Sequence, residues 1–386
     1  MLPSQRDQFD MPREVCFLNA ASWSPLPKAV QQAGQAGVLR KGRPWTLDRG
    51  LAGEQHERAR RAAAALINAD PEDVALISSV GYGVATAGKI LDVPRGSRVL
   101  VLEEDHSSPV LEWMTRAADG GFTVETVRAP ADGDWTRAVL AAIERPGAPP
   151  LALGSMSSVH WSDAGAIDLD QVVPALRRQG AAVLIDATHG AGVMPIDVQR
   201  LDVDFLVFPT YKWVLGPYGR AFLYINKRRQ EAIPLEQTAY GRRSVLAEQV
   251  PYMKDTAYKA GARRFDMGER DHFITLEMAA LGMEMMAGWG QKQVCERLAM
   301  LTGRLGTRLA ESGIAVPDAQ VRAPHIISLP VPPDAAPALA EQLAAQDVHV
   351  APRLGRLRIS PHVYNDEADI DRFVSVFRQL NSRAAK

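Results

Sequence analysis

The chain has 386 residues, more than one hydrophobic core usually serves, so two domains in contact are expected. Its 44 Lys and Arg residues balance 45 Asp and Glu, and a net charge of −1 excludes the electrostatic attraction typical of proteins that bind nucleic acid or anionic membranes. Apolar residues at 46% and charged residues at 23% are ordinary for a soluble globular protein, so a small-molecule substrate is expected.

The cysteine count and the first residues indicate a cellular compartment. Cys16 and Cys295 are the two cysteines, too few for a disulfide framework, which favours a reducing environment. The opening MLPSQRDQFDMPREV is polar and lacks the pattern of a signal peptide. No apolar run is long enough to span a bilayer. The sequence therefore predicts a soluble, cytoplasmic protein.

Helical patterns and short apolar runs alternate between residues 54 and 225. Strands are predicted at 74–78, 98–104, 122–128, 150–156, 181–187, 203–208 and 220–225. Helices are predicted at 54–69, 83–91, 108–118, 135–144 and 169–180. Continuous Val, Leu, Ile and Ala are typical of strands buried on both faces. The pattern predicts an α/β fold with a mostly parallel seven-stranded sheet and helices on both faces. The last two strands have no helix between them, so one of them is a candidate antiparallel strand.

The pattern changes after residue 230. An irregular stretch at 235–265 precedes further predicted elements, which are helices at 273–288, 290–312, 335–345 and 366–382, and strands at 325–330, 348–352 and 356–360. This composition predicts a smaller C-terminal α+β domain. The expected division is a large domain at 17–260 and a small domain at 261–386, joined by an N-terminal segment at 1–16.

Ligands of an open parallel sheet bind outside the carboxyl ends of its strands. Asp186 ends one predicted strand and Lys212 follows the next. Taken alone, an aspartate at the end of a strand, such as Asp186, is slightly more often a cap of a helix or turn. A lysine at such a position, such as Lys212, usually extends to solvent. On neighbouring strands both would point into one cleft, where a desolvated amine becomes a nucleophile towards carbonyls. A carboxylate there keeps a pyridine nitrogen protonated.

Two further strand ends carry matching residue types. Ser78–Gly83 (SSVGYG) opens a helix and could hold a phosphate, although a simple Ser cap is the commoner role and the glycine spacing does not fit a dinucleotide site. His106 follows another strand, where a lone His is usually a loop residue. Together the four strand ends predict a pyridoxal 5′-phosphate site with a Schiff-base lysine. No metal site is expected.

Several motifs then resemble a known family. They are Phe17–Ala21 before Pro25–Pro27, Asp186–His189 (DATH), Tyr211–Trp213 before Gly216–Gly219, Arg264–Phe265 before Gly268, and Leu357–Asn365 (LRISPHVYN). They resemble the class V aminotransferases, fold-type I pyridoxal phosphate enzymes that include cysteine desulfurases, selenocysteine lyases, kynureninases and isopenicillin-epimerase-like proteins. The resemblance covers nearly the whole chain, and the lysine motif and the last stretch are its specific parts.

The resemblance implies roles at the cofactor. Lys212, Asp186 and His106 would be catalytic: Lys212 carries the Schiff base, Asp186 bonds the pyridine nitrogen, and His106 stacks on the ring. His189 would bond the phenolic oxygen. The phosphate would be held by the backbone amides of Gly81 and Tyr82 and the side chains of Ser79, Thr210 and Tyr211.

The resemblance also implies a substrate site and an assembly. Arg358 would bind the α-carboxylate of an amino acid, with Ser158 and Asn19 in the same pocket. Segment 260–272 would approach the site of a second subunit, so a homodimer is expected. A threonine of the family that reaches across the dimer aligns with Glu269, which puts that phosphate contact in doubt.

Residues that differ from the family's motifs limit the reactions that are expected. The desulfurases carry a cysteine shortly before the substrate arginine, but residues 350–358 (VAPRLGRLR) contain none, and Cys16 and Cys295 do not match it. Persulfide chemistry on a cysteine is therefore not expected. Arg353 and Arg356 could bind a second acidic group of the substrate, but solvated loop arginines are favoured.

The implied mechanism passes through an external aldimine and a quinonoid, with Lys212 as acid and base. A lyase-type reaction at Cα and Cβ of an α-amino acid is favoured. The alternatives are an aminotransferase with a keto-acid acceptor, an amino-acid racemase or epimerase, and a non-catalytic pyridoxal phosphate-binding protein.

Overall fold

A computed structural model describes residues 2–48, 50–332 and 334–384 and contains a seven-stranded sheet. After the short strand β1 (Cys16–Phe17), the strands of this sheet are β2 (Val74–Ile77), β3 (Arg98–Leu102), β4 (Thr123–Val127), β5 (Leu151–Ser157), β6 (Ala182–Asp186), β7 (Phe205–Pro209) and β8 (Ala221–Ile225). Their order is β2-β8-β7-β6-β5-β3-β4. β8 is antiparallel to both neighbours, and every other pair is parallel.

Helices cover both faces of this sheet. They are α1 (Lys28–Lys41), α2 (Leu51–Ile67), α3 (Val80–Ile90), α4 (Ser107–Gly120), α5 (Trp135–Ile143), α6 (Leu169–Arg178) and α7 (Val198–Leu201). Successive strand residues point to opposite faces, so Val183 joins one apolar core while its neighbour Leu184 joins the other. α5 and α6 contribute Val139 and Val172 to the first core, and α3 contributes Val84 to the second. The predicted α/β fold is confirmed.

The rest of the chain forms smaller elements. They are the hairpin β9 (Arg242–Val245) and β10 (Met253–Tyr258), then α8 (Thr275–Trp289), α9 (Gln291–Ala310), β11 (Ile327–Pro330), α10 (Ala335–Ala344), β12 (Val348–His349), β13 (Ala351–Arg353), β14 (Arg356–Ile359) and α11 (Glu367–Ala384). β11, β14 and β13 form an antiparallel sheet, and β1 pairs with β12. No helix of the described residues is long and apolar enough to cross a membrane.

Several elements do not appear among the predicted ones. The stretch predicted as irregular contains the β9–β10 hairpin, and no element is predicted where β1, α1 and α7 lie. α1 packs on α8 through Gly34 and Gly37, and a Cβ on Gly37 would lie 2.8 Å from the Cα of Ile274. Because glycines form this contact, α1 lacks the apolar periodicity that reveals a buried helix face.

Residues 261–289 pack on the large domain, although the predicted division assigns them to the small one. The Met267 N–H donates to the Leu76 carbonyl at 2.9 Å, and Asp266 Oδ1 accepts the Leu76 N–H at 2.9 Å. α8 packs on α1 and α2. The division at residue 260 stays a prediction, and these contacts favour a boundary near Gly290, between α8 and α9.

A buried ion pair attaches this segment to α2. The Arg60 guanidinium donates to both Asp266 carboxylate oxygens at 3.0 and 2.8 Å, and both side chains are fully buried. Arg270 also pairs with Asp266. Burial lowers the pKa of Arg60 to about 10. Asp266 therefore balances two arginines that have little access to water.

We expect Asp266→Ala to lower the free energy of unfolding by about 3–5 kcal/mol, because it leaves buried positive charge without its partner. The measurement is urea unfolding followed by circular dichroism. Arg13→Ala is the control, since Arg13 forms a more exposed pair with Asp366 and its loss should cost about 0–1 kcal/mol. Equal losses in the two variants would contradict the structural role of the buried pair.

Candidate functional site

Two adjoining cavities lie at the carboxyl edge of the sheet. The inner cavity, of about 370 Å³, is bounded by Ser79, Asp186, Lys212 and Arg220. The outer cavity, of about 690 Å³, shares His106, Tyr211, Lys212 and Tyr218 with it and extends to Ser22, Trp23, Trp161, Arg353 and Arg358. The parallel strands bring their carboxyl ends to one edge, so residues from four predicted strand ends meet here, as expected.

Two residues, Ser79 and Gly83, place the start of α3 at the inner cavity. Ser79 caps the helix, and its Oγ accepts the Tyr82 N–H at 3.1 Å. Gly83 lets the helix approach β7, since a Cβ there would lie 2.8 Å from Val207 Cγ2. The Tyr82 amide is thus already bonded, whereas the hydroxyl proton of Ser79 is left to donate to a ligand.

Lys212 lies between the two cavities. It is 7% exposed, and burial, together with the positive charges of Arg358 and Arg353, lowers the pKa of its amine to about 7, whereas the charge of Asp186 opposes this shift. The amine therefore gains or loses its proton near neutral pH, and the lysine side chain does not extend to solvent.

His189 presents a defined face to Lys212. The Trp213 indole N–H donates to His189 Nδ1 at 3.0 Å, and because an indole nitrogen only donates, Nδ1 must be the acceptor. Burial holds the pKa of His189 well below its usual value, so the ring is neutral. Its proton then lies on Nε2, which is 3.4 Å from Lys212 Nζ. His189 is therefore a hydrogen-bond donor into the site.

Asp186 ends β6 and is 2% exposed. The N–H and hydroxyl of Thr188 both donate to its Oδ1, the N–H at 2.9 Å. Among the described residues nothing donates to Oδ2, which is left for a ligand. The carboxylate is oriented by a turn and also lines the inner cavity, so it combines the two roles weighed from the sequence.

Arg358 lines the outer cavity and is 1% exposed. It donates to the Trp161 carbonyl at 2.6 Å and to Ser22 Oγ at 3.0 Å. Arg353 donates to the same Ser22 Oγ at 2.8 Å. No acidic side chain of the described residues pairs with either arginine. Burial and the charge of Arg353 lower the pKa of Arg358 to about 9. Because no acidic side chain of the described residues balances the two positive charges, the pair is suited to bind an anion.

Arg353 and Arg356 are not a pair of solvated loop arginines. Arg353 ends β13, is half-buried and lines the outer cavity. Arg356 begins β14 and lines a different cavity beside Asp163 and Pro330. The two residues face each other across a hairpin, but only Arg353 belongs to the site.

Some predicted residues lie outside both cavities. Ser158 follows β5, and its Oγ is buried against Gly190, whose added Cβ would lie 2.9 Å away. Asn19 has a buried Oδ1 without a hydrogen-bond partner. The Thr210 hydroxyl donates to the Pro217 carbonyl at 2.5 Å. Arg264, in the segment expected at a second subunit, pairs with Glu231.

His106 and Tyr211 line both cavities. His106 is exposed before α4, and partial burial of its ring lowers its pKa. Its ring lies edge-on to Trp161, with centroids 6.0 Å apart. Tyr211 stacks on Tyr218 with centroids 3.8 Å apart, and burial raises its pKa. Aromatic rings thus form much of the site wall.

The site includes residues that the sequence did not single out. They are Ser22, Ser157, Thr188, Trp213 and Arg220. Ser157 hydrogen-bonds Asp105 through its N–H and its hydroxyl, at 2.9 and 2.6 Å. One signal was visible in the sequence: Arg220 is a charged residue at the start of the otherwise apolar run predicted as a strand at 220–225.

The cysteines lie away from the site. Cys16 is buried and donates to the Asp369 carbonyl at 3.2 Å. Cys295 lies on α9. Neither lines the inner or the outer cavity, so the structure offers no cysteine nucleophile here.

Comparison with known proteins gives consistent matches. A family model described as aminotransferase class-V matches residues 17–373. An uncharacterized aminotransferase, YcbU, of Bacillus subtilis is 28% identical over 96% of this chain and 95% of its own, and isopenicillin N epimerase of Streptomyces clavuligerus is 25% identical over 84% of each. An apo cysteine desulfurase from Thermococcus onnurineus has the same fold, with a TM-score of 0.83 and 21% identity over 97% of this chain and 96% of its own.

We expect the Lys212 amine of the ligand-free protein to react with trinitrobenzenesulfonate at a rate that rises with pH and levels off above about pH 7. Only the neutral amine is nucleophilic, and burial makes that form prevail well below the usual lysine pKa of about 10.4. Mass spectrometry of the labelled peptide gives the rate at each pH. Lys292, whose side chain is 79% exposed, is the internal control. A Lys212 profile that follows Lys292 would contradict the lowered pKa.

Proposed function

Because this chain belongs to the class V aminotransferase family, whose members use pyridoxal 5′-phosphate, we propose that its inner cavity holds this cofactor and that Lys212 is the Schiff-base lysine. The chain is accordingly an enzyme of the pyridoxal phosphate class. The observation that carries the residue assignment is the buried Lys212 amine, which has a pKa of about 7, lies 3.4 Å from His189 Nε2 and lines the same cavity as Asp186.

The residues of the inner cavity fit the cofactor. Asp186 offers a free Oδ2 that could hold a proton on the pyridine nitrogen, and His189 offers an Nε2–H to the phenolic oxygen. The Ser79 hydroxyl and the Gly81 amide at the start of α3 suit a phosphate. Bound pyridoxal phosphate supplies an electron-accepting ring that stabilises negative charge at the substrate Cα.

The protein's own groups would handle the substrate and its protons. Arg358 would bind the α-carboxylate, because its buried guanidinium has no acidic partner among the described residues. Lys212 would take the Cα proton and return it, because a base with a pKa near the working pH is efficient. His106 would cover one ring face. Trp161 and Tyr218 would limit the access of water.

We propose a lyase-type reaction at Cα and Cβ of an α-amino acid. The outer cavity lies beside Lys212 and gives room for a substrate side chain with a leaving group. The Streptomyces relative is named as an epimerase and not as an aminotransferase. Because neither cysteine lines the site, the leaving group would not pass to a protein thiol. An aminotransferase is the second candidate, supported by the name of the Bacillus relative.

We also propose the homodimer that the resemblance implies. Trp23, Leu111 and Tyr218 are 57%, 55% and 58% exposed and surround the outer cavity. A second copy of the chain would cover them, since large apolar side chains clustered at a surface often mark an interface. The approach of residues 260–272 to the second site stays a prediction, as does the cytoplasmic location.

Incubation with a panel of amino acids should yield ammonia and a keto acid without an added acceptor. Lys212→Ala should still bind pyridoxal phosphate but should lose turnover by about 100- to 10,000-fold, because the acid–base group is removed. Mass spectrometry of products is the measurement, and Lys292→Ala is the control. Turnover that requires a keto acid would favour the aminotransferase instead. A protein that takes up no cofactor would contradict both candidates.

Arg358→Ala should raise KM for the amino acid by about 10- to 100-fold, since a hydrogen bond to a charged group is worth about 1.5–3 kcal/mol. Steady-state kinetics would measure it. Arg356→Ala is the matched control, because Arg356 lies on the same strand but away from both cavities. An unchanged KM in Arg358→Ala would exclude the carboxylate role.

A further inference from the structure

Arg220 is a buried cation in the inner cavity. It lies directly before β8 and is 4% exposed. Its side chain lines the inner cavity together with Ser79, Gly81 and Gly219. It does not line the outer cavity, where Arg353 and Arg358 lie. Arg220 is therefore separate from the arginines proposed for the substrate.

The hydrogen bonds of Arg220 are incomplete. Its Nε donates to Thr275 Oγ1 at 3.1 Å, whereas Nη1 is buried without a partner. No acidic side chain of the described residues forms an ion pair with it. Burial alone lowers the pKa of Arg220 to about 10, with no opposing charge. A buried guanidinium without a counterion is costly, so this side chain is expected to meet an anion.

The N-terminus of α3 points to the same anion. α3 has 11 residues and begins at Val80 after its cap residue Ser79, and the N–H groups of its first turn lack partners within the helix. Tyr82 N–H is bonded to the Ser79 side chain, which leaves the Val80 and Gly81 amides at the cavity. The positive end of the helix dipole adds to the charge of Arg220. Two independent features thus favour a negative group at one place.

This place lies in a different cavity from the proposed substrate site. Lys212 lines both cavities, whereas Arg220 lines only the inner one, and Arg353 and Arg358 line only the outer one. A ligand held at Lys212 by one end would bring its other end towards Arg220 and α3.

We propose that Arg220 binds the phosphate of pyridoxal phosphate as its charged partner, jointly with the N-terminus of α3 and the Ser79 hydroxyl. The proposal rests on the proposed function, because it assumes that Lys212 holds the cofactor. Thr275 positions the guanidinium through its bond to Nε. All these groups belong to one chain. The phosphate site would then carry a full positive charge, whereas a site made only of hydroxyl and backbone amide groups would not.

Cofactor titration of the apoprotein tests this role without measuring activity. Wild-type protein and variants are titrated with pyridoxal phosphate and with pyridoxal, which lacks the phosphate, and binding is followed by absorbance. Arg220→Gln should weaken pyridoxal phosphate binding by about 10- to 100-fold, as expected for the loss of a charge-assisted contact, and should leave pyridoxal binding unchanged. Arg220→Lys should restore part of the affinity. Arg200→Gln removes an exposed charge and serves as the control.

Thr275→Val provides a second test that keeps the charge. It should weaken pyridoxal phosphate binding by a smaller factor, about 3- to 10-fold, because Arg220 loses the group that orients it. If Arg220→Gln fails to fold, Thr275→Val still decides the point. Wild-type affinity for pyridoxal phosphate in folded Arg220→Gln or Thr275→Val would overturn the proposal for Arg220 alone. Absence of binding of both aldehydes to wild-type protein would instead overturn the proposed function.

Discussion

The desolvation of one amine is the constraint on which the site depends. Lys212 follows β7 in a sheet whose parallel strands end at a common edge, and it lies between two cavities with its charge opposed by burial. The surrounding groups are arranged around that amine. His189 is fixed as a neutral donor by Trp213, and the carbonyl of Trp213 lies 3.1 Å from Nε2 of His362, in the specific LRISPHVYN stretch. The two most specific motifs therefore meet in one contact.

The buried arginines are of two kinds, those paired with an acidic residue within the fold and those that line the cavities without such a partner. Arg60 is fully buried, but the Asp266 carboxylate balances it, so the pair attaches the 261–270 segment to α2. Arg220, Arg353 and Arg358 have no acidic partner among the described residues and all line the cavities. Because isolated buried charge is costly, such cations indicate places where ligands bring negative charge. Arg220 lines the inner cavity, and Arg353 and Arg358 line the outer one.

Much of the fold and part of the site could be predicted. The seven strands, their sheet and the antiparallel β8 follow from apolar runs that helices separate. The resemblance to class V aminotransferases, and with it the enzyme class and the cofactor, is confirmed by the family match. Lys212, Asp186, His189, His106 and Arg358 line the cavities, and their roles stay predictions. Ser158 and Asn19 line neither cavity, because the direction in which a side chain points depends on local backbone that an aligned position does not reveal.

By itself, the sequence determined the order of the sheet strands, the sheet, the family and the position of Lys212 at the carboxyl edge of that sheet. These features are local, since they arise from apolar periodicity, turn residues and motifs that can be read along the chain. Only the tertiary structure decided that α8 packs with the large domain, that Arg353 joins Arg358 at Ser22, and that Arg220 is buried without a counterion. Those features depend on contacts between residues far apart in the chain, and the burial and charge that such contacts create cannot be read from residue types alone.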